Sequence, residues 1–173
     1  MKNNNSIFFD GSNFYFKLKD LKLHDQLSFD FSAFNNFLGT HPAAVYYIGK
    51  IQTDKTKKSK KLHAQQRKLL AHLHKHQVKY SLGFLLKSGG KYHEKGVDVQ
   101  IAVDILIGAY ENLYDTCYLV SSDSDIIPAI KKARMLGKEI VYVGFKHKIS
   151  YSLLHNCSRS ILLTKEDLLP FCK

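Results

Sequence analysis

The chain has 173 residues, 45% apolar and 12% aromatic, all aromatics being Phe or Tyr, which is enough to bury one substantial core and excludes a wholly disordered chain. Cys117, Cys157 and Cys172 are odd in number and form no C-x-x-C pair, which excludes a disulfide framework or a thiolate zinc site and reads as reduced thiols. A net charge of +11 points to a polyanionic partner such as nucleic acid or an acidic membrane surface, and ten basic residues against one acid, Asp54, carry +9 of it between Lys50 and Lys79.

In chain order, the N-terminal run MKNNNSIFFDGSNF has too few apolar residues before Asp10 for a signal-peptide core. No later run reaches membrane-spanning length, so a cytoplasmic protein without a membrane partner is expected. Ser6 to Phe9 reads as a buried strand stopping at an Asp10-Gly11-Ser12-Asn13 turn. Phe31 to Leu38 reads as a helix closed by Gly39, and Ala43 to Ile51 as a strand. Thr53 to Lys61 is a lysine-rich run with the composition of a solvated loop, and Leu62 to Gln77 continues as a basic helix with Leu62, Leu69, Leu70 and Leu73 on one face. The basic loop-helix at about 53–77 thus stands out as an insertion within a single domain spanning 1–173.

A strand through Val78 to Leu86 ends at Ser88-Gly89-Gly90. Gly96 marks the start of a helix in which Val97, Ile101, Ile105, Leu106, Ala109 and Leu113 recur at helical spacing. Thr116 to Ser121 is the next buried strand, followed by Ser122-Asp123-Ser124-Asp125 at the head of a helix reaching Leu136. Glu139 to Phe145, a short helix over Ile149 to His155 and a last strand over Ser160 to Leu163 complete the chain. This alternation predicts an α/β fold of three layers, α/β/α, around a mainly parallel central sheet. Ligands of such sheets lie beyond the carboxyl ends of the strands, where Asp10, Asp123 and Asp125 fall.

Five acids, Asp10, Asp98, Asp104, Asp123 and Asp125, lie among apolar or small residues. Carboxylates converging in one cleft repel one another unless protons or cations join them, and hard oxygen donors favour Mg²⁺ or Mn²⁺. Against this, Asp98 and Asp123 stand near helix starts, where a carboxylate caps backbone N–H groups. Asp10 ends a strand and has no capping role unless a helix begins there, so a chemical role is expected of it. Asp98 and Asp104, six residues apart, differ by roughly 120° around a helix and about 9 Å along it. Asp98 at the helix mouth is therefore the ligand, and Asp104 an orienting residue that bonds Ser12, Asn13 or a metal-bound water.

The basic segment, with Lys57, Lys58, Lys60, Lys61 and Arg67, is interleaved with histidines and with Tyr46, Tyr47 and Tyr80, a mixture suited to phosphate contact and base stacking. Lys91 and Lys95 lead into Asp98 and are candidates for steering a phosphate to it. Ser88-Gly89-Gly90-Lys91 lacks the G-x-x-x-x-G-K-[ST] pattern of a nucleotide P-loop, and His72 and His76 lack the Glu of H-E-x-x-H.

I-F-F-D-G-S-N-F, K-G-V-D-V-Q-I-A-V-D and Y-L-V-S-S-D-S-D-I-I-P-A-I-K-K-A-R-M-L-G-K, in this order between Ile7 and about Phe145, resemble the three signature segments of NYN domains, in the PIN-like nuclease superfamily. The resemblance implies a metal-dependent ribonuclease with Mg²⁺ or Mn²⁺ held at Asp10, Asp98, Asp123 and Asp125. Ser12, Asn13 and Ser122 would hydrogen-bond those ligands or the phosphate. The chain departs from the pattern at Ser122, where Gly is frequent, at Ile126, where Phe is frequent, and in its long basic segment. A non-catalytic RNA-binding module of the same fold is the alternative, and a homo-oligomer is compatible with either. A haloacid-dehalogenase-like phosphatase is disfavoured, since Ser12 stands where that chemistry needs a second acid.

Overall fold

The structure is a computed structural model that describes residues 4–23, 26–39, 42–51, 56–88 and 91–172, with side chains 85–94 outside the description. Its strands are β1 (Asn5–Asp10), β2 (Ala43–Gly49), β3 (Lys79–Ser88), β4 (Lys91–Lys95), β5 (Thr116–Val120), β6 (Glu139–Phe145) and β7 (Arg159–Leu163). Its α-helices are α1 (Gly11–Asp20), α2 (Phe31–Leu38), α3 (Lys57–Lys75), α4 (Val97–Tyr110), α5 (Ile127–Met135), α6 (Tyr151–Asn156) and α7 (Lys165–Leu168). The strands form one sheet in the order β4-β3-β2-β1-β5-β6-β7. All neighbours pair in parallel except β4, which runs antiparallel to β3 at the edge. The predicted three-layer α/β architecture is the one observed.

The central strands are unbroken apolar runs because both of their faces are covered. Ile7 and Phe9 of β1 face a core packed with Phe14, Phe29, Phe31, Phe34, Tyr46, Leu69 and Leu73, which joins α1, α2 and α3 to one side of the sheet. Phe8 faces the opposite way, into a core with Tyr47, Ile101, Ile105, Tyr114 and Ile130, which joins α4 and α5 to the other side. β1 lies at the centre, and the chain winds from it to β2 and β3 on one flank and later to β5, β6 and β7 on the other. The crevice between the ends of β1 and β5 is thus the topological switch point, the place where open α/β sheets bind ligands.

Several local expectations are corrected. The polar residues after Asp10 do not form an isolated turn: α1 begins at Gly11, and Phe14 and Leu18, one turn apart, enter the core. Asp10 consequently does cap a helix. Gly11 is required there, because a Cβ would meet the Tyr46 ring and lie 2.6 Å from the Tyr47 carbonyl oxygen. The lysine run is helical from Lys57 on, since the Thr56 side chain caps α3 by accepting the Ser59 N–H at 3.1 Å. Residues 52–55, which include Asp54, lie outside the described residues. On α3 the buried leucines are Leu69 and Leu73, whereas Leu62 is exposed, and on the α4 side Leu113 is exposed as well. β4 returns after the Ser88-Gly89-Gly90 break, of which Gly89 and Gly90 lie outside the described residues. Among the described residues no helix is long and apolar enough to cross a membrane.

Candidate active site

Asp10 closes β1 in register with Tyr47 of β2, which sets it on the rim of the sheet. Its Oδ1 accepts the Asn13 N–H at 3.0 Å, the cap of α1, and its Oδ2 accepts the Ser121 hydroxyl at 3.0 Å. Ser121 Oγ in turn accepts the Asp123 N–H at 3.1 Å, and Asp123 Oδ1 accepts the Asp125 N–H at 2.9 Å. This run of bonds ties the loop after β5 to the end of β1 and folds Asp123 and Asp125 back toward the switch point. Asp98 arrives from α4, in whose first turn it stands. The chain reaches that turn through Gly96 at φ +83°, a left-handed conformation that a side chain disfavours. Asp10, Ser12, Asn13, Phe16, Asp98 and Asp123 line an open cleft of ≈ 400 Å³.

Burial pushes the Asp10 carboxyl above the usual aspartate range; the Asn13 N–H and the Ser121 hydroxyl oppose the shift, and the Asp123 and Asp98 carboxylates add to it. An acid whose folded pKa exceeds its unfolded value near 3.8 stabilises the fold only while protonated. That stability is present below about 3.8 and is lost as the pH rises through the raised folded value. Ionised Asp10 therefore weakens the metal-free protein at neutral pH. Asn caps helices as well as Asp does. Asp10→Asn is accordingly expected to raise the Tm in EDTA at pH 7, with the gain shrinking as the pH falls, as a thermal melt at several pH values would register. A lower Tm at neutral pH would contradict it.

Asp98, Asp123 and Asp125 each offer a carboxylate oxygen within 4.8 Å of the others, an arrangement that could hold a cation. On an octahedral Mg²⁺ with oxygens at roughly 2.0–2.1 Å, adjacent ligands lie roughly 2.9 Å apart and opposite ones roughly 4.1 Å, so the three carboxylates would have to turn inward to seat the ion. The all-oxygen, anionic donor set also suits Mg²⁺ or Mn²⁺ better than a softer metal. The structure thus brings together three of the four expected ligands. Asp10 lines the cleft with Asp98 and Asp123 but stands outside the trio, its Oδ1 capping α1 and its Oδ2 holding the Ser121 hydroxyl at the end of β5.

Ser12 and Asn13 line the cleft as expected. Ser122 does not, although its buried hydroxyl has no hydrogen-bond partner among the described residues. The hydroxyl that touches Asp10 belongs instead to Ser121, which sequence reasoning passed over.

Asp104 is placed away from its expected orienting role. Its carboxylate accepts the Tyr47 hydroxyl at 2.7 Å and the Gln100 amide at 2.8 Å, and it lines a different depression, with Ser6 and Lys79 near the opposite ends of the strands. The roughly 9 Å helical offset from Asp98 carries it toward the middle of the sheet rather than to the rim. Asp104→Ala is expected to cost about 2 kcal/mol in a denaturant melt, because it leaves the buried Tyr47 hydroxyl without its charged partner. The response of the protein to metal should be unchanged, and a shifted metal titration would restore Asp104 to the site.

Lys57, Lys58, Lys60, Lys61 and Arg67 are all exposed on α3. The middle of α3 is anchored where β2 ends by Gln66, whose amide donates to Gly49 O at 2.7 Å and whose carbonyl accepts Ile51 N–H at 2.9 Å. The lysines stand in the turns of α3 that precede this anchor. Lys95 is exposed at the end of β4, three residues before Asp98, while the Lys91 side chain lies outside the described residues. Of the tyrosines considered for base stacking, Tyr46 and Tyr47 are fully buried and only Tyr80 is exposed. The tyrosine pair belongs to the two cores because a central strand has no solvent face.

The sequence model of the NYN domain matches residues 4–164. An uncharacterized protein of Methanocaldococcus jannaschii, MJ0482, is 37% identical over 57 residues, which is 33% of this chain and 24% of that protein, so the chain spans about a quarter of that relative. The crystal structure of VPA0982 from Vibrio parahaemolyticus, a protein of unknown function, superposes with a TM-score of 0.65 at 19% identity over 94% of this chain and 93% of that one, a likeness of fold. With its three ordered signature segments, its sheet order and a family match over nearly its whole length, the chain belongs to the NYN domain family of the PIN-like nuclease superfamily.

Proposed function

We propose that the protein is a Mg²⁺- or Mn²⁺-dependent ribonuclease acting at the switch-point cleft. The observation that carries this reading is the convergence of Asp98, Asp123 and Asp125 from two separate elements, with Asp10 beside them. Asp98, Asp123 and Asp125 would hold the cation, and Asp10 would complete the set through lone pairs not used by Asn13 and Ser121. When bound, such a cation lowers the pKa of a water and neutralises charge on the leaving 3′-oxygen. The chain's own part is positional. Ser121 and Asn13 fix the Asp10 carboxylate, the Asp123–Asp125 turn fixes the loop after β5, and Ser12 and Asn13, which line the cleft, would supply hydrogen bonds for ligands or phosphate. The exposed row Lys57, Lys58, Lys60, Lys61 and Arg67, together with Lys91 and Lys95 of the strand that leads into Asp98, would bind the RNA backbone.

Cys117 and Cys157 are buried free thiols, and burial pushes Cys157 up to about 12. Unreactive thiols without a disulfide fit the reducing cytoplasm. The non-catalytic alternative retains the basic α3 and gives the acids no role. Incubating labelled RNA with Mg²⁺ or Mn²⁺, and in parallel with EDTA, separates the two. Cleavage confined to the metal-containing samples is expected. Binding without cleavage in every metal would leave only the RNA-binding module.

A further inference from the structure

A second depression of ≈ 400 Å³ opens beside the aspartate cleft, between α1 and the first half of α3, and Ser12 and Phe16 line both. Its walls are largely apolar and accessible: Tyr15, Phe16, Leu27 and Leu62 all expose substantial surface, Phe16 as much as 57%. One polar group in it is out of place. Gln26 is only 8% exposed, and its Nε2 has no hydrogen-bond partner among the described residues.

The bonding around Gln26 shows that this orphan does not depend on how its amide is turned. Tyr46 Oη lies 3.0 Å from Gly11 O and 3.2 Å from Gln26 Oε1, and its single proton cannot fully serve both acceptors. Turning the amide over lets Tyr46 donate to Gly11 O while accepting from the Gln26 NH₂, and then the Gln26 carbonyl oxygen takes the orphan position. In either orientation one end of a buried amide in the groove lacks a partner. Buried polar groups are nearly always paired, so an unpaired one lining a cleft is a place where a ligand or a water completes the bonding.

Aromatic and aliphatic walls, one orphan amide and neighbouring lysines suit a ligand with apolar faces, hydrogen-bonding groups on its edge and an attached anion. A nucleobase of an RNA strand meets all three conditions. Bases splayed out of a strand stack on aromatic side chains and are read on their edges by amide groups. The charge is complementary too: on α3, Lys58 lies one turn before Leu62 and Lys61 one turn before Gln65, so cations flank the groove wall where the strand's phosphates would pass. A base-paired strand cannot fill this site, because its faces are stacked and its edges engaged.

We propose that the α1–α3 groove is a subsite for one unpaired nucleobase next to the phosphate held in the aspartate cleft, with Phe16 as the shared wall and Gln26 contacting the base edge. The placement beside the cleft rests on the ribonuclease reading. The preference for unpaired strands and the part played by Gln26 can be tested without it.

Binding of short fluorescent RNA would be followed by anisotropy in EDTA, comparing a strand alone with the same strand annealed to its complement, and then homopolymers of A, C and U. Wild-type protein is expected to favour the unpaired strand by about tenfold or more. Phe16→Ala and Leu62→Glu, both at exposed positions where thermal melts should show an intact fold, are expected to lose most of that preference. Loss of one base stack corresponds to roughly five- to a hundredfold in affinity. Gln26→Leu should change the ranking of A, C and U. Equal binding of single and paired strands, or an unaltered preference in both wall variants, would overturn the proposal. Persistence of the preference in a protein that cleaves no RNA with Mg²⁺ or Mn²⁺ would support the base subsite while removing the ribonuclease reading.

Discussion

Asp98→Asn and Asp123→Asn are each expected to lower Mn²⁺-dependent RNA cleavage by more than the roughly 10–100-fold typical of residues that merely orient a metal ligand. Each carboxylate belongs to the trio whose oxygens lie within 4.8 Å of one another, and an amide keeps the size of the side chain while removing the charge that would hold a cation. Asp123 has a further part: its Oδ1 accepts the Asp125 N–H, and an Asn there preserves this turn. Inactivation of Asp123→Asn with unchanged secondary structure therefore separates loss of the cation from loss of the loop. The thermal melt is expected to hold or to rise in EDTA, because like charges have been relieved. A variant of either residue that cuts RNA at the wild-type rate under the same Mn²⁺ concentration would place the chemistry elsewhere.

Replacing Lys57, Lys58, Lys60 and Lys61 together by Gln is expected to weaken RNA binding and to flatten its dependence on salt. Each lost phosphate contact on a single strand lowers the log-log slope by roughly 0.7, since each contact releases condensed counterions. All four side chains are exposed in the first turns of α3, so the fold should tolerate the change. Gln keeps helix propensity close to that of Lys. The rate at saturating RNA should survive, because none of these lysines lines the cleft. An unaltered salt slope would make the lysine row a solvated face with no part in binding.

How far the sequence foretold these features follows from what each signal physically encodes. The β1 and β5 runs were legible because a strand covered on both faces is a continuous apolar block, and the acids at their ends fall on the binding rim by topology. Gly96 marked the mouth of α4 and with it Asp98. α1 was obscured because Gly-Ser-Asn has turn composition, although Asp10 followed by Phe14 and Leu18 carries the cap and the spacing of a helix. Asp10 consequently caps a helix, the role that sequence reasoning had set against a chemical one. β4 was missed because an edge strand is defined by its partner, β3, and not by its own composition.

The serine that holds Asp10 could not be chosen between Ser121 and Ser122 from sequence, since successive residues at a strand's end point to opposite sides. Asp104 illustrates the reverse case. Helix geometry excluded it as a ligand alongside Asp98, yet its actual partners, Tyr47 and Gln100, depend on how α4 lies across β2. Gln26 carried no signal at all in its polar stretch, and only the packing of Tyr46 against Gly11 isolates its amide.

The most direct test of the aspartate centre is a Mn²⁺ soak of crystals of the protein, read by anomalous diffraction. A single strong peak bonded to oxygens of Asp98, Asp123 and Asp125, with Asp10 turned toward it, is the expected result. Density that leaves these carboxylates unbridged at a Mn²⁺ concentration supporting cleavage, or a peak bound elsewhere on the chain, would contradict the assignment.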